Sequence, residues 1–356
     1  MRTLLLWCLL SAPSFAQGQI VNAKIETRAA TQPLAREVAA VASRGQASWI
    51  GYRVPLVDRS RRIGSSDGDW NSADRRCRLE SEDGVTMTRD ETPPGSRVTI
   101  EPPGELFVFA RVDAGAVMRV RTFTPDCAID AGGMPLVWLT GVAPDDSVAW
   151  LATLVAASPD TGDGHDHRAR PAVAAIALTR AAAVDRTLEG FVAADRPEWL
   201  RGQTAFWLGS ERGASGAALL ARMVAQDPSD KVRDKAVFGL SVSPEPAALD
   251  TLLETARADR STRVRGQALF WLAHKAGQRA AGAITDAIER DPDTEVKKKA
   301  VFALSQMPKD EGVPLLIQVA RTNRNPAVRK QAMFWLGQSK DPRAVQFFEQ
   351  VLTGKQ

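Results

Sequence analysis

The sequence contains few of the side chains that most enzymes and metal centres use. Its 356 residues include three cysteines, three histidines and one tyrosine. There is no His-Glu pair, no Cys-x-x-Cys motif, no phosphate-binding glycine loop and no nucleophile with a plausible base. His165-Asp166-His167 would need further ligands to hold a metal, and its composition is typical of a turn. We therefore expect no catalytic residue, metal or cofactor, and interpret the protein as non-enzymatic.

Long apolar runs are scarce as well. The one at the start of the chain follows Arg2 and ends near Ser14 and Ala16, which are small residues at the −3 and −1 positions of a cleavage site. Residues 1–16 are thus predicted to be a signal peptide, and the protein to be exported to the periplasm or beyond. The alternative is an uncleaved anchor, although the run is shorter than the ~20 residues of a membrane span. We expect no span in the mature chain.

Two cysteines, Cys77 and Cys127, remain after the predicted cleavage. An even number of cysteines in an exported protein favours a disulfide. This disulfide would close a loop of about 50 residues and stabilise the fold by on the order of 4 kcal/mol. The alternative is a pair of buried free thiols.

A motif that begins with an aliphatic and a basic residue returns every 32 residues in the C-terminal half of the chain. Each copy carries a phenylalanine five residues after the basic position: Phe206, Phe238, Phe270, Phe302 and Phe334. The basic residues are Arg201, Arg233, Arg265, Lys297 and Arg329. Six residues before each lies an acid or its amide: Asp195, Asp227, Asp259, Asp291 and Asn323. A fixed period of this length predicts stacked helix pairs.

The acidic and basic rows are predicted to form a structural ladder. An acid at the start of a helix and a cation in its first turns can bond each other and the backbone of a neighbouring repeat. Anion binding by the basic row is the alternative. From Thr161 onward the chain has 29 Lys and Arg against 23 Asp and Glu. This excess is small and interspersed with acids, so we expect no nucleic-acid binding.

A second period of 64 residues overlies the first. Trp207, Trp271 and Trp335 occupy one position in alternate copies, where Gly239 and Ala303 stand in the others. The helical wheel places these tryptophans in the apolar arc, so they are expected in the core. Gln203, Gln267 and Gln331 likewise alternate with Lys235 and Lys299.

Helix pairs with the pattern Asp…Val-Arg…Ala…Leu resemble HEAT repeats, in particular the short PBS-lyase HEAT-like subclass. Val296–Ser305 and Val328–Gly337 are similar to repeats of secreted bacterial HEAT-repeat proteins of unassigned function. The resemblance covers about residues 145–352 and implies an α-solenoid that binds a partner. Without a His-Glu pair it does not imply the metal-dependent hydroxylase activity of some HEAT-like proteins, and an exported chain gives no support to bilin-lyase activity.

The region before the repeats has a different pattern. Residues 17–30 suggest a loose terminus, and residues 33–42 a short helix. Alternating apolar residues predict strands, with a hairpin turn at 113–115, over residues 49–57, 97–101, 105–112 and 117–123. The predicted fold is therefore mainly α. It comprises a β-rich domain with a short leading helix at 17–142 and a HEAT-like solenoid of about six repeats with caps at 143–356.

The phenylalanine row lies on the polar side of the predicted first helices. Either each ring packs sideways onto the next repeat, or the row forms an exposed ridge that binds a partner. The candidate partner-binding residues are Phe206, Phe238, Phe270, Phe302, Phe334, Lys235 and Lys299. Together these features predict an exported protein-binding scaffold or adaptor with an unidentified protein partner. The alternatives are hydrolase or redox activity in the N-terminal domain, or a purely structural spacer.

Overall fold

The computed structural model describes residues 20–59, 77–80, 104–125, 128–158 and 166–354. Within these residues it contains helical repeats and a small N-terminal sheet, so the predicted fold class is confirmed. Contacts divide the chain into two compact units. The first comprises the described residues up to Ala156 together with 167–181, and the second comprises 157, 158, 166 and 182–354.

The first unit is built on a five-stranded sheet. Its strands and helices are β1 (Ile20–Val21), β2 (Lys24–Ala29), α1 (Leu34–Ala42), β3 (Ser48–Pro55), β4 (Glu105–Asp113), β5 (Ala116–Phe123), β6 (Ile129–Asp130), β7 (Pro135–Thr140), α2 (Pro144–Ala156) and α3 (Ala169–Leu178). The strand order is β2-β7-β3-β4-β5, and β1 pairs separately with β6. β7 runs parallel to β2 and β3, whereas β3, β4 and β5 are successively antiparallel.

The sheet is buried on both faces along β4. Phe107 and Phe109 lie in one apolar cluster with Cys77, while Leu106 and Val108 on the opposite face are also buried. Such near-continuous burial explains why β4 is apolar at nearly every position instead of alternating. The predicted hairpin is present, with Ala114 and Gly115 in its turn at positive φ.

The prediction of a loose terminus over residues 17–30 is wrong for its described part. Residues 24–29 form β2, an edge strand whose side chains are mostly exposed. An exposed edge strand needs no apolar face, which is why the sequence pattern missed it. Its neighbour α1 places Glu37 in the interior, where the N–H of Thr31, followed by that of Gln32 and the Arg28 guanidinium, lowers the pKa of the carboxyl.

Helix α2 packs with the sheet unit. Tyr52 on β3 and Ser147 on α2 share a buried hydrogen bond of 2.9 Å between their hydroxyls. The contacts thus group α2 and α3 with the sheet, although the sequence suggested a boundary between residues 142 and 143. That boundary stays a prediction about which part of the chain folds independently. The predicted signal peptide, the strand at 97–101 and Cys127 lie outside the described residues.

The second unit begins with α4 (Val184–Phe191) and continues as five helix pairs. These are α5 (Glu198–Glu211) and α6 (Gly213–Gln226), α7 (Asp230–Val242) and α8 (Pro246–Ala258), α9 (Thr262–Ala276) and α10 (Gln278–Arg290), α11 (Thr294–Gln306) and α12 (Lys309–Thr322), α13 (Pro326–Gln338) and α14 (Pro342–Thr353). The first helices of successive pairs pack on one another and form one layer. Ser229, Asp293 and Asn325 cap first helices through their side chains.

The 64-residue alternation corresponds to two kinds of contact between first helices. A Cβ added to Gly239 would overlap the carbonyl oxygen of Ala205, so the backbones of α5 and α7 approach closely. Between α7 and α9, by contrast, the Trp271 indole contacts Phe238 at 4.9 Å between ring centroids. The tryptophans therefore alternate with small residues because close and wide helix contacts alternate.

Candidate partner-binding surface

Buried arginine–aspartate pairs connect successive repeats. Arg201 Nε donates to Asp227 Oδ2 at 2.8 Å, and Nη2 donates to Oδ1 at 3.1 Å. The same bidentate geometry joins Arg233 to Asp259, at 3.0 and 3.2 Å. It recurs between Arg265 and Asp291, at 2.8 and 3.0 Å. All six side chains of these pairs are at least nine-tenths buried, so the pairs lie inside the protein.

The pairing differs from the one expected within each repeat. Arg233 does not pair with Asp227, six residues before it, but with Asp259 of the following repeat. It reaches its own turn through Nη1, which donates to the carbonyl oxygen of Asp227 at 3.1 Å. Asp227 instead accepts two hydrogen bonds from Arg201 of the preceding repeat. Asp195, the first acid of the row, is exposed. The carboxylates also accept from backbone N–H groups two residues on, as Asp227 does from Ser229 at 2.9 Å.

The fourth step of this ladder uses different chemistry. Lys297 stands where the other repeats have arginine, and its Nζ donates to the carbonyl oxygen of Glu289 at 2.7 Å. Asn323 replaces the aspartate and donates from Nδ2 to Glu289 Oε1 at 3.0 Å. Arg329 keeps the bond to its own turn, donating to the carbonyl oxygen of Asn323 at 2.8 Å. These two repeats are therefore connected by separate hydrogen bonds instead of a bidentate ion pair.

The phenylalanine row forms a chain of ring contacts across the first helices. Phe206 and Phe238 stack at 5.8 Å between centroids, with 18° between their planes. Phe270 and Phe302 repeat this geometry at 5.8 Å and 11°. Trp271 links the two stacked pairs, lying 4.9 Å from both Phe238 and Phe270. The rings thus pack sideways onto neighbouring repeats, as one of the two sequence-based alternatives proposed.

This packing leaves part of the rings at the surface. The first four phenylalanines are half-buried, and Phe334 is 53% exposed. Trp207 is buried as predicted, whereas Trp271 and Trp335 are only half-buried. The core prediction was wrong for these two, which contact Phe238 and Phe302 of the preceding first helices at 4.9 Å between ring centroids. Whether the row binds a partner stays a prediction.

Lys235 and Lys299 lie beside the stacked rings, three residues before Phe238 and Phe302. Each stem rests on a glycine of the preceding first helix: a Cβ on Gly202 would lie 3.2 Å from Lys235 Cγ, and one on Gly266 would overlap the Lys299 stem. Neither lysine forms an ion pair or hydrogen bond with any residue that the structure describes. Both positive charges are therefore available to a ligand.

Other candidate sites contribute little. An open depression of about 470 Å³ lies at the inter-repeat turns, where Ser229, Arg233 and Ser261 line it, and it includes no residue of the phenylalanine row. Among the described residues no group of His, Cys, Asp and Glu could hold a metal ion. His274 lies at the surface against Phe270. In the same part of the chain, no helix is both long and apolar enough to cross a membrane.

Comparison with known proteins supports the repeat assignment. Residues 282–356 match the family model described as HEAT repeats. The matched residues include helices α11 to α14, the last two helix pairs of the second unit. Among solved structures it resembles human deoxyhypusine hydroxylase in complex with glycerol, with 15% identity, a TM-score of 0.27, and coverage of 58% of this chain and 89% of that chain. No curated protein matches the sequence.

Proposed function

We propose that this protein is an exported, non-enzymatic scaffold that binds another protein along the exposed face of its first helices. HEAT repeats usually mediate protein interactions, which supports the general role. The observation that favours this face is the combination of half-buried aromatic rings with the uncompensated charges of Lys235 and Lys299. Aromatic side chains that become fully covered on association supply much of the binding energy at protein interfaces.

The finer parts of this proposal rest on the sequence. A secreted bacterial protein of the PBS-lyase HEAT-like subclass would lose residues 1–16 on export and form a Cys77–Cys127 disulfide in the oxidising compartment. Cys77 is buried in the apolar cluster that contains Phe107 and Phe109. A disulfide would fix the segment that contains Cys77 in this position. Cell fractionation checks the first statement. A thiol assay on the denatured, unreduced protein checks the second, and two reactive thiols would contradict it.

Site-specific cross-linking in the producing cells tests the proposed binding face. A photo-reactive residue in place of Gln267, which lies beside the phenylalanine row, should give discrete adducts with one or a few proteins. The matched control is Arg257, an exposed residue near the end of α8 in the other layer. Adducts from Arg257 alone, or from neither position, would contradict the assignment of this face.

A further inference from the structure

The face described above contains one local arrangement twice. In the first copy, Lys235 rests on Gly202 beside the stacked rings of Phe206 and Phe238. In the second copy, 64 residues later, Lys299 rests on Gly266 beside the stacked rings of Phe270 and Phe302. The ring separation is 5.8 Å in both copies. We call these copies subsite A and subsite B.

The charges around both subsites favour an acidic ligand. The row three residues before the phenylalanines contains only lysine and glutamine. The row four residues after them also lacks acids, and consists of Ser210, Val242, His274, Gln306 and Gln338. The acids nearest on the same helices are already engaged, Asp234 with Arg263 and Glu295 with Lys298. A carboxylate near Lys235 or Lys299 would thus gain attraction and meet little repulsion.

The repeat spacing sets the distance between the two subsites. They are separated by two steps between packed helices, and each step is ~8–10 Å, which gives roughly 16–20 Å. An extended chain advances ~3.3 Å per residue, so about five or six residues span this distance. A helical segment would need about twice as many residues, at ~1.5 Å per residue.

We propose that the partner segment is an extended acidic peptide with two copies of an apolar-plus-carboxylate motif about six residues apart, one for each subsite. In each copy the apolar side chain covers a stacked phenylalanine pair and the carboxylate pairs with the lysine beside it. The inference rests on the proposed function of this face and specifies the ligand. Occupation of both subsites by one chain makes the second contact intramolecular, so two weak contacts act together.

Synthetic peptides and the full mature chain test the proposal. The probe is a 14-residue peptide with two Asp-Leu-Glu motifs whose leucines are six residues apart in a Gly/Ser background. Fluorescence anisotropy should show that it binds at least about tenfold more tightly than either single-motif peptide. Spacings of three or twelve residues should lose most of this gain, and replacement of the acids by Asn and Gln should abolish binding.

Protein variants test whether the peptide binds at subsites A and B. Lys235→Glu or Lys299→Glu should each reduce the affinity of the two-motif peptide to that of a single motif. The double variant Arg257→Glu/Arg279→Glu, which changes two exposed cations on second helices, should bind as the parent does. An affinity that does not depend on the spacing between the two motifs would overturn the proposal. So would displacement of the peptide by dextran sulfate as effective as displacement by the unlabelled peptide. If no peptide binds while Gln267 still cross-links to a protein, the binding face stands and the two-motif ligand is rejected.

Discussion

Two rows of side chains share the same 32-residue period and differ in what surrounds them. The arginines and aspartates of the three bidentate pairs are buried, and two hydrogen bonds join the partners of each pair. The phenylalanines and lysines on the other row are half-buried or exposed, and Lys235 and Lys299 carry charges without partners among the described residues. Periodicity alone therefore does not separate a structural row from a binding row. Burial and the satisfaction of polar groups do.

The largest effect should come from opening the ladder. Arg233→Ala leaves the Asp259 carboxylate buried without its counter-ion, which should cost about 3–5 kcal/mol of unfolding free energy. Urea unfolding followed by circular dichroism measures this. Arg257→Ala, an exposed control, should stay within about 0.5 kcal/mol of the parent. A loss below about 1 kcal/mol in Arg233→Ala would show that the ladder is dispensable.

The next largest effect concerns the close contact between first helices. Gly239→Ala forces a methyl group against the carbonyl oxygen of Ala205, so α5 and α7 must separate at a cost of about 1–3 kcal/mol. Gly337 offers a matched control, because a Cβ there meets no atom within 4 Å. Gly337→Ala should be neutral or stabilise α13 by up to about 1 kcal/mol, since alanine favours helix. Equal urea midpoints for the two variants would contradict the close approach.

A smaller effect should appear when the fourth step of the ladder is converted to an ion pair. Asn323→Asp alone places a carboxylate beside Glu289 and should destabilise the protein. Adding Lys297→Arg supplies the bidentate partner found in the other repeats. A double-mutant cycle on urea unfolding should then give a favourable coupling of about 1–3 kcal/mol. Additive changes in unfolding free energy would mean that the contact between these two repeats cannot adopt the bidentate geometry of the three arginine–aspartate pairs.

The sequence predicted the helix pairs and both rows because the same kind of residue returns at the same position in successive repeats. It could not predict that Arg233 pairs with Asp259 instead of Asp227. A fixed period makes both pairings equally regular, and only the stacking of repeats brings the later aspartate into reach. The half-burial of Trp271 was missed for a related reason, since a helical wheel does not include the neighbouring Phe238.

The sheet unit was less accessible to the sequence. β4 and β5 were predicted from their apolar residues and hairpin turn. β2 was missed because its exposed edge carries polar side chains, and β7 because its parallel pairing with β2 and β3 involves residues far apart in the chain. The candidate binding residues followed from the 32-residue period. The contacts of Lys235 with Gly202 and of Lys299 with Gly266 became visible only in the structure.

The central claim is that the phenylalanine–lysine row binds a partner while the arginine–aspartate row maintains the fold. The most direct test measures binding and stability together in Lys235→Glu/Lys299→Glu, with Arg257→Glu/Arg279→Glu as the control of equal charge change. Saturable binding of proteins from the producing cells should weaken at least about tenfold in the first variant only, a loss of ~1.4 kcal/mol. Its urea midpoint should remain close to that of the parent, because both lysines are outside the core. Binding that survives in the first variant, or that falls equally in the control, would contradict the claim.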